Sequence, residues 1–116
     1  MKLEFKNVTK TYPRTHTHAL KNVNFKIGQS EFVYITGHSG AGKSTLLALI
    51  LRRINPTEGS VHILEQNLRT LRESKLPLLR RRIGMIFQDH RLLPHLSALE
   101  NLMFVLRATG EQGDFE

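Results

Sequence analysis

Residues 37 to 45 read Gly-His-Ser-Gly-Ala-Gly-Lys-Ser-Thr, and they have the types and the spacing of a loop that binds phosphate. They fit the pattern G-x-x-x-x-G-K-[ST]. Its glycines allow backbone conformations that a Cβ forbids, so the loop can turn its N–H groups toward anionic oxygens. Lys43 would bring a full charge to the β- and γ-phosphates, and the Ser44 hydroxyl would ligate Mg²⁺. The candidate binding residues are Gly37, His38, Ser39, Gly40, Ala41, Gly42, Lys43, Ser44 and Thr45.

The elements on either side of this loop are the ones it needs. Residues 31–36 are mostly apolar or aromatic and predict a buried strand, whereas residues 45–53 predict a helix. A strand, a glycine loop and a helix in that order place the loop at the positive end of the helix macrodipole. A glycine-rich turn that matches the pattern by chance would lack this context, so the sequence favours a nucleotide site.

The rest of the chain predicts two kinds of sheet. Alternating apolar residues indicate strands near residues 3–8 and over 19–27, before the loop, and these are typical of an antiparallel sheet. Later segments predict strands at 61–64 and 83–87, a short helix 78–82 that follows Pro77, and a longer helix opened by the capping box Ser97 to Glu100. We therefore expect an α/β core with an antiparallel β-subdomain beside it.

Composition limits the functions that are possible. The chain has 116 residues, a formal net charge of +7 and no cysteine, which excludes disulfides and thiolate chemistry. Its N-terminus does not resemble a signal peptide, and its longest apolar run, residues 46–51, is far shorter than the roughly 20 residues of a spanning helix. We expect a cytoplasmic chain that can lie against a membrane subunit. The arginines at 80–82 have no interleaved aromatic residues, so nucleic acid is not expected as a partner.

Three features together resemble the nucleotide-binding domain of ATP-binding cassette proteins. Besides the loop 37–45, Tyr12 lies between the first two predicted strands, and Gln88 directly follows the predicted strand 83–87. The resemblance implies ATP and Mg²⁺ as ligands. It implies that Tyr12 stacks on adenine and that Gln88 contacts Mg²⁺ and the attacking water, so Lys43 and Gln88 would be catalytic and Ser44 and Gln88 would hold the metal. The fold it implies is the P-loop NTPase core with an antiparallel β-subdomain.

Two phrases, residues 36–47 and 79–93, are more narrowly similar to the cell-division branch of this family. That resemblance implies an ATPase at the inner face of the cell membrane, paired with an integral membrane subunit and dimeric when full length. The family's exporter ATPases, of the lipoprotein-release or macrolide type, share most of these motifs and remain an alternative. A small-molecule kinase is disfavoured, because such enzymes usually carry the loop after their first strand.

The chain departs from the family pattern in what it lacks. It contains no Ser-Gly-Gly-Gln segment and no apolar run that ends in paired carboxylates, so the signature motif and the second acidic strand are missing. The sequence thus resembles the N-terminal part of one such domain, residues 1–116. We expect the isolated chain to bind nucleotide weakly or not at all and to hydrolyse it negligibly. A module that binds partners without turnover therefore remains open.

The histidines and the leucines outside these motifs are less informative. The pair His16 and His18 invites a metal hypothesis, but it lies in a polar stretch without carboxylate or cysteine partners, which disfavours it. Leucines at positions 92, 93, 96, 99 and 102 predict core, with a groove for a partner helix as the alternative.

Overall fold

The computed structural model describes residues 2–14 and 17–110, which belong to two compact units. The first unit ends at Leu76 and the second begins at Pro77. In chain order the elements are β1 (Leu3–Thr11), β2 (His18–Ile27), α1 (Lys43–Ile50), β3 (Glu58–Ile63), β4 (Gln66–Asn67), a 3₁₀ turn (Glu73–Lys75), α2 (Leu76–Arg81) and α3 (Ala98–Thr109).

The strands form one antiparallel sheet in the order β2-β1-β3-β4. Alternation decides which side chains face the core: Phe5 and its β3 partner Val61 are buried, whereas Glu4 and its partner His62 are only partly buried. Phe5 also stacks on Phe25 of β2, with ring centroids 4.5 Å apart. The predicted antiparallel β-subdomain is therefore confirmed.

A bulge in β1 shifts this alternation by one residue. The pairing of β1 with β2 is irregular between Phe5 and Val8, and Asn7 there has a left-handed φ of 49°. As a result Val8 and Thr9 are both buried. Gly59 of β3 lies against this bulge with a φ of 79°, and a Cβ at that position would overlap the Asn7 carbonyl oxygen. The bulge thus depends on a glycine in the neighbouring strand.

Two predicted strands are wrong for the described residues: neither 31–36 nor 83–87 is hydrogen-bonded as a strand. A β-strand forms only where a neighbouring strand supplies hydrogen-bond partners. The described sheet contains no strand that pairs with either segment. Their apolar side chains are accordingly open to solvent, with Phe32 82%, Tyr34 81% and Ile86 91% exposed. The apolar composition of both segments predicted interior strands. Composition does not show which other strands would have to pair with them.

The second unit contains the predicted capping box. The Ser97 side chain accepts from the backbone N–H of Glu100, while the Glu100 carboxylate accepts from the backbone N–H and the hydroxyl of Ser97, both at 2.7 Å. These bonds satisfy N–H groups that have no partner inside the helix. Asn101 then fastens the preceding loop to α3, because it bonds both the N–H and the carbonyl of Leu93. The start of α3 is well defined by its own sequence.

The outer side chains of this unit are more exposed than predicted. Leu92, Leu99 and Leu102 are about two-thirds exposed, so the prediction that they form core is wrong. Leu93 and Leu96 are half-buried. Among the residues that the structure describes, no helix has the length and the apolar character needed to cross a membrane.

Glu100 gives the cap of α3 a dependence on pH. Hydrogen bonds from the backbone and the side chain of Ser97 lower the pKa of the Glu100 carboxyl below its ordinary value. A lowered pKa in the folded state contributes stability above the ordinary pKa, and that contribution disappears as pH falls through the folded pKa. We expect the protection factors for amide exchange at residues 97–101, which are rates relative to the unfolded chain at the same pH, to fall over this acidic range, and Glu100→Gln to flatten the change. Glu73→Gln, a substitution of another exposed glutamate, is the control; an unchanged profile in Glu100→Gln would contradict the assignment.

Candidate functional site

The loop 37–45 has the shape of an anion cradle at the start of α1. Gly40 and Gly42 adopt left-handed φ values of 82° and 97°, and the Ala41 N–H donates to the His38 carbonyl at 3.2 Å, which closes a tight turn. Gly42 is the N-cap of α1, and the first turn of that helix contains no acidic residue. The first N–H groups of α1 therefore carry partial positive charge without a carboxylate to neutralise it.

Lys43 is folded back across this cradle. Its ammonium donates to the carbonyl oxygens of Gly37 and His38, at 2.5 and 2.7 Å. The side chain thus holds a positive charge inside the loop with two neutral acceptors. A phosphate oxygen is a stronger acceptor than a carbonyl because it is charged, so an arriving phosphate can displace these bonds.

Gly42 is fixed against the β-sheet. A Cβ at this position would overlap the carbonyl oxygen of Ala19 and would lie 2.8 Å from Cδ2 of Leu20, both in β2. The loop therefore contacts the sheet closely at Gly42, the N-cap residue of α1. Only glycine satisfies both the left-handed φ and the close approach. The fixed glycine of the sequence pattern has this structural cause in addition to its predicted role near phosphate.

Tyr12 extends the site from the loop toward the sheet. It follows β1 directly, and its hydroxyl lies 3.3 Å from Oγ1 of Thr45 in the first turn of α1. The residue is 38% exposed. The structure therefore brings together Tyr12, predicted to bind the base, and Thr45, predicted to bind phosphate.

The remaining site predictions have different outcomes. His38 points its Nδ1 at the Ser39 carbonyl at 2.7 Å, so Nδ1 carries the proton and donates. Gln88 is exposed and lies in the second unit, in the turn after residues 84–87. Its predicted contact with Mg²⁺ beside Ser44 stays a prediction. His16 of the proposed metal pair lies outside the described residues, and those that are described include no cluster of three or more metal-ligating side chains.

Sequence reasoning missed two residues of this site. Lys10 lies in β1 with its ammonium 5.5 Å from the centroid of the Tyr12 ring, and Ala19 supplies the carbonyl that confines Gly42. Lys10 is two residues before Tyr12, which is the spacing of neighbours on one face of an extended chain. That spacing was a signal for Lys10. A backbone carbonyl has no side-chain signal, so Ala19 could be found only from the structure.

These residues fit a nucleoside triphosphate with Mg²⁺. The cradle of N–H groups and the Lys43 ammonium match phosphate oxygens. Ser44 is exposed and its hydroxyl is a hard oxygen ligand of the kind that suits Mg²⁺, and Tyr12 is an exposed aromatic residue. The fold and the site together define a nucleotide-binding domain of the P-loop class. The family model described as "ABC transporter" matches residues 20–115, and the chain belongs to that family.

Relatives of several kinds are similar to the chain. The cell division ATP-binding protein FtsE of Bacillus subtilis is 44% identical over 110 residues, covering 95% of this chain and 48% of the relative. The phosphonates import ATP-binding protein PhnC 2 of Oceanobacillus iheyensis is 48% identical over 101 residues, covering 87% and 39%. The solved dimeric structure of the cassette MJ0796 in a post-hydrolysis state with ADP and Pi is 43% identical, with a TM-score of 0.83 over 98% of this chain and 50% of that one.

The chain thus spans between 39% and 50% of the length of these relatives. The predicted α/β fold of the ABC type, with its antiparallel β-subdomain, is confirmed by this structural similarity. Full-length members of the family are ATPases that hydrolyse ATP and work with membrane subunits.

The contact between Gly42 and β2 generates a test of the loop. We expect Gly42→Ala to lower the free energy of unfolding of the chain by more than about 2 kcal/mol, because it combines a left-handed φ with overlap at the Ala19 carbonyl. The matched control is Gly40→Ala, where φ is also positive but nothing lies within 4 Å of the added Cβ. That variant should lose only about 1 kcal/mol. Equal losses in urea denaturation would contradict the packing account.

Proposed function

We propose that this chain binds Mg·ATP weakly through the loop 37–45 and belongs to the ATP-driven subunit of a membrane complex. The observation that carries the proposal is the Lys43 ammonium held inside a glycine loop at the start of α1, 2.5 and 2.7 Å from two loop carbonyls. Lysine at a helix N-terminus opposes the macrodipole, so its position there is unfavourable unless an anion binds. Phosphate supplies that anion.

For the division of labour among the residues, we propose that Lys43 contacts the β- and γ-phosphates and that the backbone of residues 37–45 surrounds them. Ser44 and Gln88 would hold Mg²⁺, which when bound neutralises charge on the phosphate oxygens. Gln88 would also orient the attacking water, and Tyr12 would stack on adenine. Its exposed ring beside Thr45 supports that role.

For the biological role, we propose an FtsE-like ATPase with an FtsX-like integral membrane partner, at the inner face of the cell membrane. In this role ATP binding and hydrolysis would switch on peptidoglycan hydrolysis at the septum. Support comes from FtsE proteins of Bacillus subtilis and Mycobacterium tuberculosis, which are 44% and 39% identical over nearly the whole chain.

An import ATPase is the second candidate, favoured by a specific observation. Two phosphonate importers and the methionine import ATP-binding protein MetN 2 of Lactiplantibacillus plantarum are 46% to 48% identical, as similar as the FtsE proteins. An exporter ATPase of the lipoprotein-release or macrolide type is a further alternative. Co-purification from the native membrane distinguishes them: an FtsX-like subunit supports the division role, whereas a solute permease contradicts it.

ATP hydrolysis is expected to need groups that the residues of this sequence do not supply. We propose that the complete site forms in a head-to-tail homodimer whose signature loop and catalytic glutamate have no counterpart in this sequence. The dimeric state of the similar cassette MJ0796 supports this arrangement. Phosphate release by the 116-residue chain should therefore stay at the level of a blank. Turnover like that of an intact cassette ATPase would contradict the proposal and exclude a binding-only module.

Lys43 provides the direct test of nucleotide binding. We expect Lys43→Ala to weaken Mg·ATP binding by about tenfold or more, the effect of losing a hydrogen bond between charged groups. The fold should be little affected, because the carbonyls that Lys43 releases belong to exposed residues. Calorimetric titration measures the affinity, and thermal unfolding monitors the fold.

Lys21→Ala is the matched control for Lys43→Ala, because it removes the same charge from an exposed position in β2. If both variants bind Mg·ATP as the unsubstituted chain does, the phosphate role of Lys43 is wrong. If both weaken binding equally, the effect is one of net charge and not of the loop.

A further inference from the structure

The segment 69–82 carries much of the positive charge of the chain. It has one acidic residue, Glu73. Its basic residues are Arg69, Arg72, Lys75, Arg80, Arg81 and Arg82. The attraction of these residues to a charged surface depends on their number and on their closeness along the chain. It does not require one fixed arrangement of the side chains.

The basic residues of this segment are exposed, all of them. Within the described ranges 2–14 and 17–110, the ion pairs are formed by other residues of the chain. None of those pairs includes Arg69, Arg72, Lys75, Arg81 or Arg82. An exposed group of cations without carboxylate partners carries charge that an anionic surface can neutralise.

The helix α2 adds an apolar side chain to these charges. Leu76 and Leu79 are buried, whereas Leu78 is 52% exposed. Arg81 follows Leu78 by three residues, which places the two side chains on one face of the helix. An exposed leucine beside arginines suits the boundary between lipid headgroups and acyl chains. It suits nucleic acid less, because the segment has no aromatic residue to stack on bases.

We propose that the segment 69–82 binds directly to a membrane surface that contains anionic lipid. Its basic residues attract the headgroup phosphates, to which an arginine can donate two parallel hydrogen bonds. Leu78 enters the boundary between the headgroups and the acyl chains. This contact is additional to any contact with a membrane subunit, and it does not rest on ATP binding.

Vesicle sedimentation tests this contact with the 116-residue chain and no protein partner. We expect the chain to sediment with vesicles of mixed phosphatidylcholine and phosphatidylglycerol, and to stay in solution with vesicles of phosphatidylcholine alone. Raising the salt concentration from about 0.1 M to about 1 M should release it, because the Debye length falls from about 10 Å to about 3 Å. Equal binding to both kinds of vesicle, or binding to neither, would overturn the inference.

Two double variants separate the role of the segment from that of net charge. One combines Arg81→Gln with Arg82→Gln, and the other combines Lys21→Gln with Lys26→Gln at exposed positions of β2. We expect the arginine variant to weaken binding to the anionic vesicles about tenfold or more, the effect of two charges near the membrane surface. The lysine variant should weaken it by less than about twofold. Equal weakening by the two variants would show that net charge alone matters, which would contradict the proposal.

Leu78 distinguishes a lipid surface from nucleic acid. We expect Leu78→Gln to weaken binding to the anionic vesicles about three- to tenfold, because it removes an apolar side chain that would leave water in the lipid. Affinity for a short DNA duplex should stay the same, because DNA offers no apolar layer to this side chain. Leu92→Gln is the matched control, since Leu92 is 66% exposed and lies outside the segment. It should leave both affinities unchanged.

The other outcomes are equally decisive. If Leu78→Gln and Leu92→Gln affect vesicle binding equally, the leucine does not enter the lipid and the inference is wrong. If the chain binds the DNA duplex more tightly than the anionic vesicles at equal phosphate concentration, the segment is a nucleic-acid surface and the inference is overturned. Should the arginine variant not fold, Arg69→Gln with Arg72→Gln carries the same test. Mg·ATP affinity should be the same with and without these substitutions, so failure of the inference leaves the proposed function intact.

Discussion

The structure depends on the close contact between Gly42 and the Ala19 carbonyl of β2. At Gly42 the chain turns from the loop into α1, and the end of the helix lies in close contact with β2. The left-handed φ of Gly42 makes the turn, and the missing Cβ makes the approach possible. The consequence is that the helix N-terminus is anchored to the antiparallel sheet. The residues proposed to bind phosphate and the residue proposed to bind the base therefore lie on one support.

The sequence predicted the parts of the fold that are determined locally. The loop 37–45, the capping box of α3 and the consecutive strands β1 and β2 each depend on residues close together in the chain, and each is present. The bulge that shifts the alternation of β1 was not predicted. The strands 31–36 and 83–87 are not, since a strand depends on a neighbour elsewhere. Their apolar residues are correct for a covered strand, but the described chain supplies no strand beside them. The same reason explains why leucines of α3 are exposed where core was predicted.

Site prediction has a similar limit. Pattern matching identified Lys43 because a side chain and its spacing carry the signal. It could not show that Tyr12 reaches Thr45, because that contact joins separate segments. Nor could it show that Lys43 rests on loop carbonyls or that Lys10 lies over the Tyr12 ring, because these local contacts depend on side-chain conformation. The charge of the loop has one simple consequence. Neutral carbonyls hold Lys43 inside a loop rich in N–H groups, so the positive charge there can be neutralised only by an anion. The role of Gln88 depends on a different unit of the chain and remains a prediction.

The most direct test of the central claim is an NMR titration of the ¹⁵N-labelled 116-residue chain with Mg·ATP, which detects even weak binding. The account predicts that amide signals of residues 37–46 move together, that signals of Tyr12 move with them, and that the rest of the sheet is little affected. Shifts confined to the basic segment 69–82, with the loop unchanged, would show that the nucleotide binds as a mere counter-ion. That result would contradict the account.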